Sequence, residues 1–375
     1  MYKQYEYLRE AVTMTRNETY RLDLPKTGQL SGLLLKISAN LTSGAVAAAA
    51  AWRLQDYLTK VEIIKNGATV IKSYNFTDLL FLSWLRQGIV PPHFWRTYGA
   101  NTQFEYGLLL FGRSLGDPDY GLTLNERDSY ELRITNTATS TYWSTDLTIS
   151  ILQVFVRDAP GGFRGYIRSE EWRNYTTAQN GTEYFLLPTE YPICTLALQA
   201  IPSNTAGMFD TNPQNLAYDI DLSKKGGTLQ MYKGGMDDLL VVNYMERGAE
   251  VITNGQAYVD ADRGLNVAIA RMFGWVAGAS SKNGAVASTF PTMSADDTDG
   301  TISFEDYTAE RPIQFWTRGM GYQDFAWLLA NLDLDPAKNI DPANDGELRL
   351  NIQARDASTA ASGTVRLLLE RVVAG

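Results

Sequence analysis

One cysteine, one histidine and no apolar stretch near the length of a membrane span are what the 375 residues offer to common chemistries. Cys194 alone excludes an intrachain disulfide framework and a cysteine zinc site. It lies in the apolar run PICTLAL and reads as a buried small hydrophobe. His93, in GIVPPHFWRTYG, has no GxSxG-type serine to serve and reads as a structural loop histidine. A lone histidine with a lone cysteine leaves no transition-metal site, and no GxxxxGK[ST] phosphate cradle occurs. The opening MYKQYEYLRE lacks the apolar core of a signal peptide, and no run approaches ~20 apolar residues. The expectation is a protein made and used in a reducing cytosol. Positive charge is in deficit too, 33 Lys and Arg against 42 Asp and Glu for a net of -9. A grip on nucleic acid through displaced counterions is therefore disfavoured. No catalytic, cofactor-binding or metal-ligating residue is assigned. DDTDGTISFED (296–306) fails the EF-hand register, with Ala295 at position 1 and Asp306 at position 12. It is read as a solvated acidic loop, with an irregular calcium site on Asp297, Asp299 and Asp306 as the alternative.

What is present is β-pattern and repetition. YRLDL, LLLKISA, VEIIKNG, YELRITN and LTISILQVFV alternate or burst in the manner of half-buried strands. KNGA and KGGM supply hairpin-type turns. Tyr, Trp and Phe number 21, 8 and 14, as suits sandwich cores and protein interfaces. Leu22, Leu24, Pro25, Leu30, Leu33 and Leu35 align with Phe185, Leu187, Pro188, Ile193, Leu196 and Leu198 at a constant offset of 163. VEIIKNG has a looser partner in LQMYKGG. DLLFLSWLRQG (78–88) returns as DLLVVNYMERG (238–248) at an offset of 160. In both, the Asp is placed to cap a short helix, Gly88 or Gly248 to end it, and the polar positions 83, 86, 87 and 243, 246, 247 to form a wet face. YELRITN matches GELRLNI (346–352), and LTISIL (147–152) matches GTVRLL (363–368), both at 216. Four blocks in one order indicate a β-sandwich plan used twice. The change of offset places an insertion in the second copy, partly the Gly/Ala/Ser-rich stretch 274–300, which reads as an exposed loop. The first copy has a smaller excursion at 42–52.

The organisation expected is an N-terminal segment 1–16, a first sandwich 17–157, a linker 158–172 and a second sandwich 173–375 with a loop insertion around 249–330. The N-terminal segment reads as a weak amphipathic helix with Tyr5, Leu8 and Val12 on one side, or as a frayed end.

Two consecutive sandwiches, a short helix in each, one large loop excursion and no catalytic set resemble the double jelly-roll major capsid proteins of the adenovirus and tectivirus lineage. That resemblance implies an all-β fold of two consecutive eight-stranded jelly-roll β-sandwiches with short helices in the connecting loops. It implies a non-enzymatic structural subunit that trimerises into pseudo-hexameric capsomers of an icosahedral virion shell, assembled in the host cytoplasm. Implied partners are other copies of the chain, penton and minor capsid proteins, and an internal lipid membrane met by the N-terminal segment. Sequence-specific nucleic-acid binding is not implied. The alternative is a two-domain β-sandwich glycan hydrolase or amidase, or a sugar-binding adhesin or tail-fibre protein.

Overall fold

The computed structural model describes residues 1–40, 54–96, 102–138, 143, 145–158, 161–202, 213–247, 322, 325–355 and 363–374. Between 251 and 320 it describes the backbone of six strands. The first part of the chain supplies β1 (Tyr2–Met14), β2 (Glu18–Asp23), β3 (Gly28–Asn40), β4 (Leu58–Lys65), β5 (Thr69–Tyr74) and helix α1 (Phe76–Gln87). β6 (His93–Arg96), β7 (Thr102–Leu110), β8 (Leu122–Leu124), β9 (Tyr130–Asn136) and β10 (Leu147–Arg157) follow. The second part opens with β11 (Gly165–Thr176), β12 (Thr182–Leu186), β13 (Ile193–Pro202), α2 (Pro213–Leu216), β14 (Asp219–Lys224), β15 (Leu229–Gly234) and α3 (Met236–Arg247). Next come β16 (Val251–Val259), β17 (Leu265–Ala268), β18 (Phe273–Ser281), β19 (Thr292–Asp296), β20 (Thr301–Glu305) and β21 (Arg311–Met320). β22 (Phe325–Ala330), α4 (Pro342–Asp345), β23 (Arg349–Gln353) and β24 (Gly363–Ala374) complete the chain.

The first unit stacks the strands β1-β10-β3-β7 on β2-β9-β4-β5; the second stacks β11-β24-β13-β22 on β12-β23-β14-β15. Position for position, the strand order is the same. Alternation along each strand makes the sandwich: Leu132 and Ile134 of β9, and Leu147, Ile149 and Ile151 of β10, point into one core. Leu196, Leu198, Ile220, Leu222, Leu350 and Ile352 do the same in the other.

Irregularities repeat as faithfully as the order, which is stronger evidence of duplication than any apolar string. Ser31 is the extra residue where β3 slips against β10, and Cys194 where β13 slips against β24. Leu8 bulges from β1 and Trp172 from β11. Ile71 bulges from β5 and Met231 from β15. Such bulges carry specific pairing and twist information, so their recurrence is not chance. Helix α1 is tied by Ser83, whose hydroxyl accepts from the Leu108 N–H and donates to its carbonyl oxygen, both at 2.9 Å. At the equivalent place in α3, Asn243 accepts from the Trp327 N–H at 2.8 Å and donates to its carbonyl at 2.9 Å.

Several expectations need correction. The N-terminal segment is a strand, paired with β10 from Tyr2 to Met14. It mimics a helix because its bulges bring Gln4, Leu8 and Val12 inward every fourth residue, while Tyr5 stays exposed. Only 158–164 connect the units, since the stretch read as linker is strand from Gly165. The match of YELRITN to GELRLNI is two residues out of register. Leu132 pairs with Leu22 and Ile63, and its counterpart facing Phe185 and Leu222 is Leu350, an offset of 218. A two-residue slip keeps every side chain on its face, so the pattern did not expose it. VEIIKNG likewise corresponds to β14 and its turn, where Lys225, Gly226 and Gly227 have positive φ, rather than to LQMYKGG. KGGM leads from β15 into α3 and is not a hairpin turn.

The helix is capped by Asn75, and Asp78 reciprocates by accepting from the Asn75 N–H at 3.0 Å, a capping box. Gly88 ends α1 in the left-handed conformation at φ 70, as expected. Gly248, the excursion 42–52 and Asp297, Asp299 and Asp306 lie outside the described residues. The insertion falls between α3 and β22, and 274–300 is not simply loop. β18 pairs with β21, β21 with β16, and β16 runs parallel to β6 of the first unit, Gly255 against Trp95.

Candidate functional site

The most elaborate side-chain arrangement among the described residues lies where the two units meet. Edge strand β5 runs parallel to edge strand β11, with Lys72 opposite Ser169 and Ser73 opposite Glu170. Helix α1, already buried on its own core, presents its other side to the outer face of the β11-β24-β13-β22 sheet. Phe81 stacks on Phe325 with ring centroids 4.2 Å apart, and Trp84 packs on Tyr322 and Trp327 at 6.0 and 5.9 Å. Ala197, Phe325, Trp327 and Leu368 of the second unit thereby join the hydrophobic core of the first. Aromatic pairs of this kind add about 1 kcal/mol each beyond their burial.

Charges are buried in the same seam. Arg86 donates to Glu370 at 2.5 Å, and Arg366 donates to Asp78 at 2.5 Å and also to Glu171. Gln199 accepts from Arg366 at 2.7 Å. Lys72 donates to Ser169 at 2.7 Å, and Ser169 passes the bond on to Glu370 at 2.8 Å. Burial pushes Lys72 down to about 8 against the pull of Glu370. Burial works against ionised Glu370 as well, yet Arg86 and Lys72 hold it below the usual carboxylate range. Cys194 is fully buried beside Arg86, and burial pushes its thiol up to about 11, so it is an unionised hydrophobe at neutral pH. Of the helix face read as wet, only Gln87 is exposed in the first unit: Ser83 is buried against β7 of its own sheet and the Arg86 guanidinium is inside the joint. No sequence motif announces such a cluster, because its members lie up to 288 residues apart. The one available signal was the pairing of polar positions on an otherwise apolar helix. His93 stands apart, half-buried at the start of β6 with Nδ1 3.1 Å from the Pro91 carbonyl oxygen.

The second unit keeps the same surfaces, and no described residue covers them. Val241, Val242 and Met245 of α3 occupy the positions of Phe81, Leu82 and Leu85, and Met245 is 77% exposed where Leu85 is 0%. Met231 of β15 is exposed where Ile71 is buried. A hollow of about 660 Å³ beside the start of α3 is lined by Tyr218, Asp219, Asp237, Asp238 and Arg355. Among the described residues β1 and β15 are free edges, and β1 shows Tyr2, Tyr5 and Tyr7 to solvent. Exposed apolar side chains grouped on strand edges and a helix face mark an interaction surface.

The fold has counterparts among solved structures. A capsid structure of the virus PBCV-1 superposes with a TM-score of 0.55 at 11% identity, covering 99% of this chain and 94% of that one. A chain from the atomic structure of Sulfolobus Turreted Icosahedral Virus gives 0.54 at 11% identity, covering 99% and 91%. The chain has the double jelly-roll fold. No protein-family model and no curated protein matches its sequence. Within the double jelly roll, the fused sheet edges and the buried α1 make the joint part of the fold, and the uncovered α3 and β15 are its repeat.

Proposed function

We propose that this double jelly roll is the major capsid protein of an icosahedral virus, a structural subunit with no catalytic role. One observation carries the reading: the chain builds the same sandwich twice and joins the copies through a large apolar and ionic seam, while no described residue fills the equivalent seam on the second copy. Three copies joined through the open seams present six similar sandwiches in a closed ring, a threefold object able to tile a hexagonal lattice. The likeness in fold to capsid chains along the whole length supports it.

The domain division that goes with this reading is a first jelly roll through residue 157, now including β1, and a second from Gly165 with the insertion between α3 and β22 as its outward tower. Partners are other copies first, then penton and minor capsid proteins, with the virion shell as destination and the host cytoplasm as assembly site. A net charge of -9 leaves genome contact to other components. An internal membrane, where present, is met at the base of the capsomer.

Electron microscopy and native mass measurement of the purified protein test this. The expected result is a particle of about 125 kDa, three chains of 41.7 kDa, or hexagonal sheets of it. A monomer at micromolar concentration that turns over or binds glycans overturns the reading in favour of a hydrolase or adhesin.

A further inference from the structure

Resting on that reading, we propose which surfaces close the ring: the β15 edge and outer α3 face of one copy dock on the β1 edge and outer sheet face of the first unit of another copy. The intrachain joint is the template, and the shared bulges fix the correspondence residue by residue. Pairing to β10 and β24 makes Tyr5 and Glu6 of β1 the counterparts of Ser169 and Glu170. The common bulge of β5 and β15 makes Tyr232 and Lys233 the counterparts of Lys72 and Ser73. The parallel pairing of β5 with β11 therefore transfers to β15 with β1 of the neighbour, Tyr232 opposite Tyr5 and Lys233 opposite Glu6. Both strands are edges with no partner among the described residues, and the transferred pair has opposite charges.

The faces transfer as well. Phe81 on Phe325 becomes Val241 on Tyr106, because Tyr106 faces Lys36 as Phe325 faces Gln199. Trp84 on Trp327 becomes Tyr244 on Leu108. Tyr106 and Leu108 are half-buried on the outer side of their sheet, ready to lose their remaining exposure. Arg366, which reaches Asp78 within the chain, is replaced by Ser150; Gln199, which accepts from Arg366 beside it, is replaced by Lys36; and Asp78 is replaced by Asp238. Lys36 lies over the Phe104 and Tyr106 rings at 5.7 Å, and no carboxylate among the described residues pairs with it. Asp238 lines the hollow beside α3. The hollow is thus the seat of Lys36 from the neighbouring copy, and the second joint exchanges buried ion pairs for apolar and tyrosine contacts plus two opposite-charge pairs, Lys36 with Asp238 and Lys233 with Glu6. The Glu6–Lys233 pair follows from the strand register itself, and Lys36 meets Asp238 from the position beside the one Arg366 holds in the intrachain joint.

The full chain carrying Val241→Cys and Tyr106→Cys tests the contact. On mild oxidation the expected product is a disulfide ladder of dimer and trimer, absent from either single variant; buried Cys194 does not compete. Lys36→Glu is expected to lower the trimer fraction at least tenfold, and adding Asp238→Lys to restore it. Met245→Glu, at an exposed site that leaves folding intact, is expected to give a folded monomer. If trimers or hexagonal sheets form but residues 106 and 241 do not cross-link and charge reversal has no effect, these surfaces are wrong while the capsid reading stands. If the wild-type chain stays monomeric, both fall together.

Discussion

Lys72 is the residue at which the chemistry of the joint is most exposed to experiment. Its ammonium is buried between the two units, 2.7 Å from Ser169 and 5.7 Å from the centre of the Phe111 ring, and its folded-state value is about 8 against an ordinary 10.5. Below pH 8 both folded and unfolded chains hold this proton, and the cost of burying the charge is present in full. Between pH 8 and 10.5 the unfolded chain binds more protons at this site, so its contribution to stability rises with pH and levels off above. The displacement corresponds to roughly 3 kcal/mol. Cys194, pushed up to about 11, acts in the opposite sense above pH 9, so the comparison must be between proteins rather than between pH values alone. Urea unfolding of wild type and Lys72→Met across pH 7 to 10.5 is expected to show wild type gaining on the variant as pH rises. A constant difference would mean the ammonium is solvated. Nothing in SYNF or its neighbours distinguishes Lys72 from a surface lysine. Its burial is a consequence of β11 lying alongside β5, a contact between residues almost 100 positions apart.

Among elements, helices α1 and α3 show how one local design serves two settings. Both are twelve residues, both end a strand pair, and both clamp a strand of their own sheet through one polar side chain at the same position. Ser83 suffices where Leu108 is close; Asn243 spans to Trp327 and satisfies its N–H and carbonyl together. Asn243→Ala strands two buried backbone groups, and the expected loss is about 2 kcal/mol in urea unfolding, with the helix content of α1 unaffected. Loss below a few tenths would show that water reaches the Trp327 edge. The helices were legible in sequence because apolar spacing and the stop glycine Gly88 are local, although the cap of α1 proved to be Asn75, with Asp78 completing the box. Which of their faces would be covered was not. The polar stripe at 83, 86 and 87 reads as solvated when the partner sheet is unseen, and the apolar 241, 242 and 245 read as core when they are not. β1 misled for a related reason: two bulges gave a strand the inward spacing of a helix, and only pairing with β10 decides between them.

For the whole molecule, duplication was legible because side-chain alternation survives divergence, whereas register, bulges and the extent of the insertion depend on pairings the sequence does not display. What duplication means physically is that the first unit never has a free α1 face. It is covered as soon as the second unit folds, and in covering it the second unit hides Phe325, Trp327 and Leu368. Neither half is then complete alone. Each would expose a contiguous apolar sheet or helix face together with charges stripped of their seam partners: Glu370 loses Arg86 and Lys72, and Arg366 keeps Glu171 but loses Asp78. The chain 161–375 expressed by itself is therefore expected to be insoluble, or to bind a hydrophobic dye and unfold without cooperativity, and co-expression of 1–158 to restore a soluble complex. A well-behaved, cooperatively folding 161–375 fragment would show that the seam is a docking contact between independent units. The template from which the ring contact is drawn would then be far weaker than its buried ion pairs suggest.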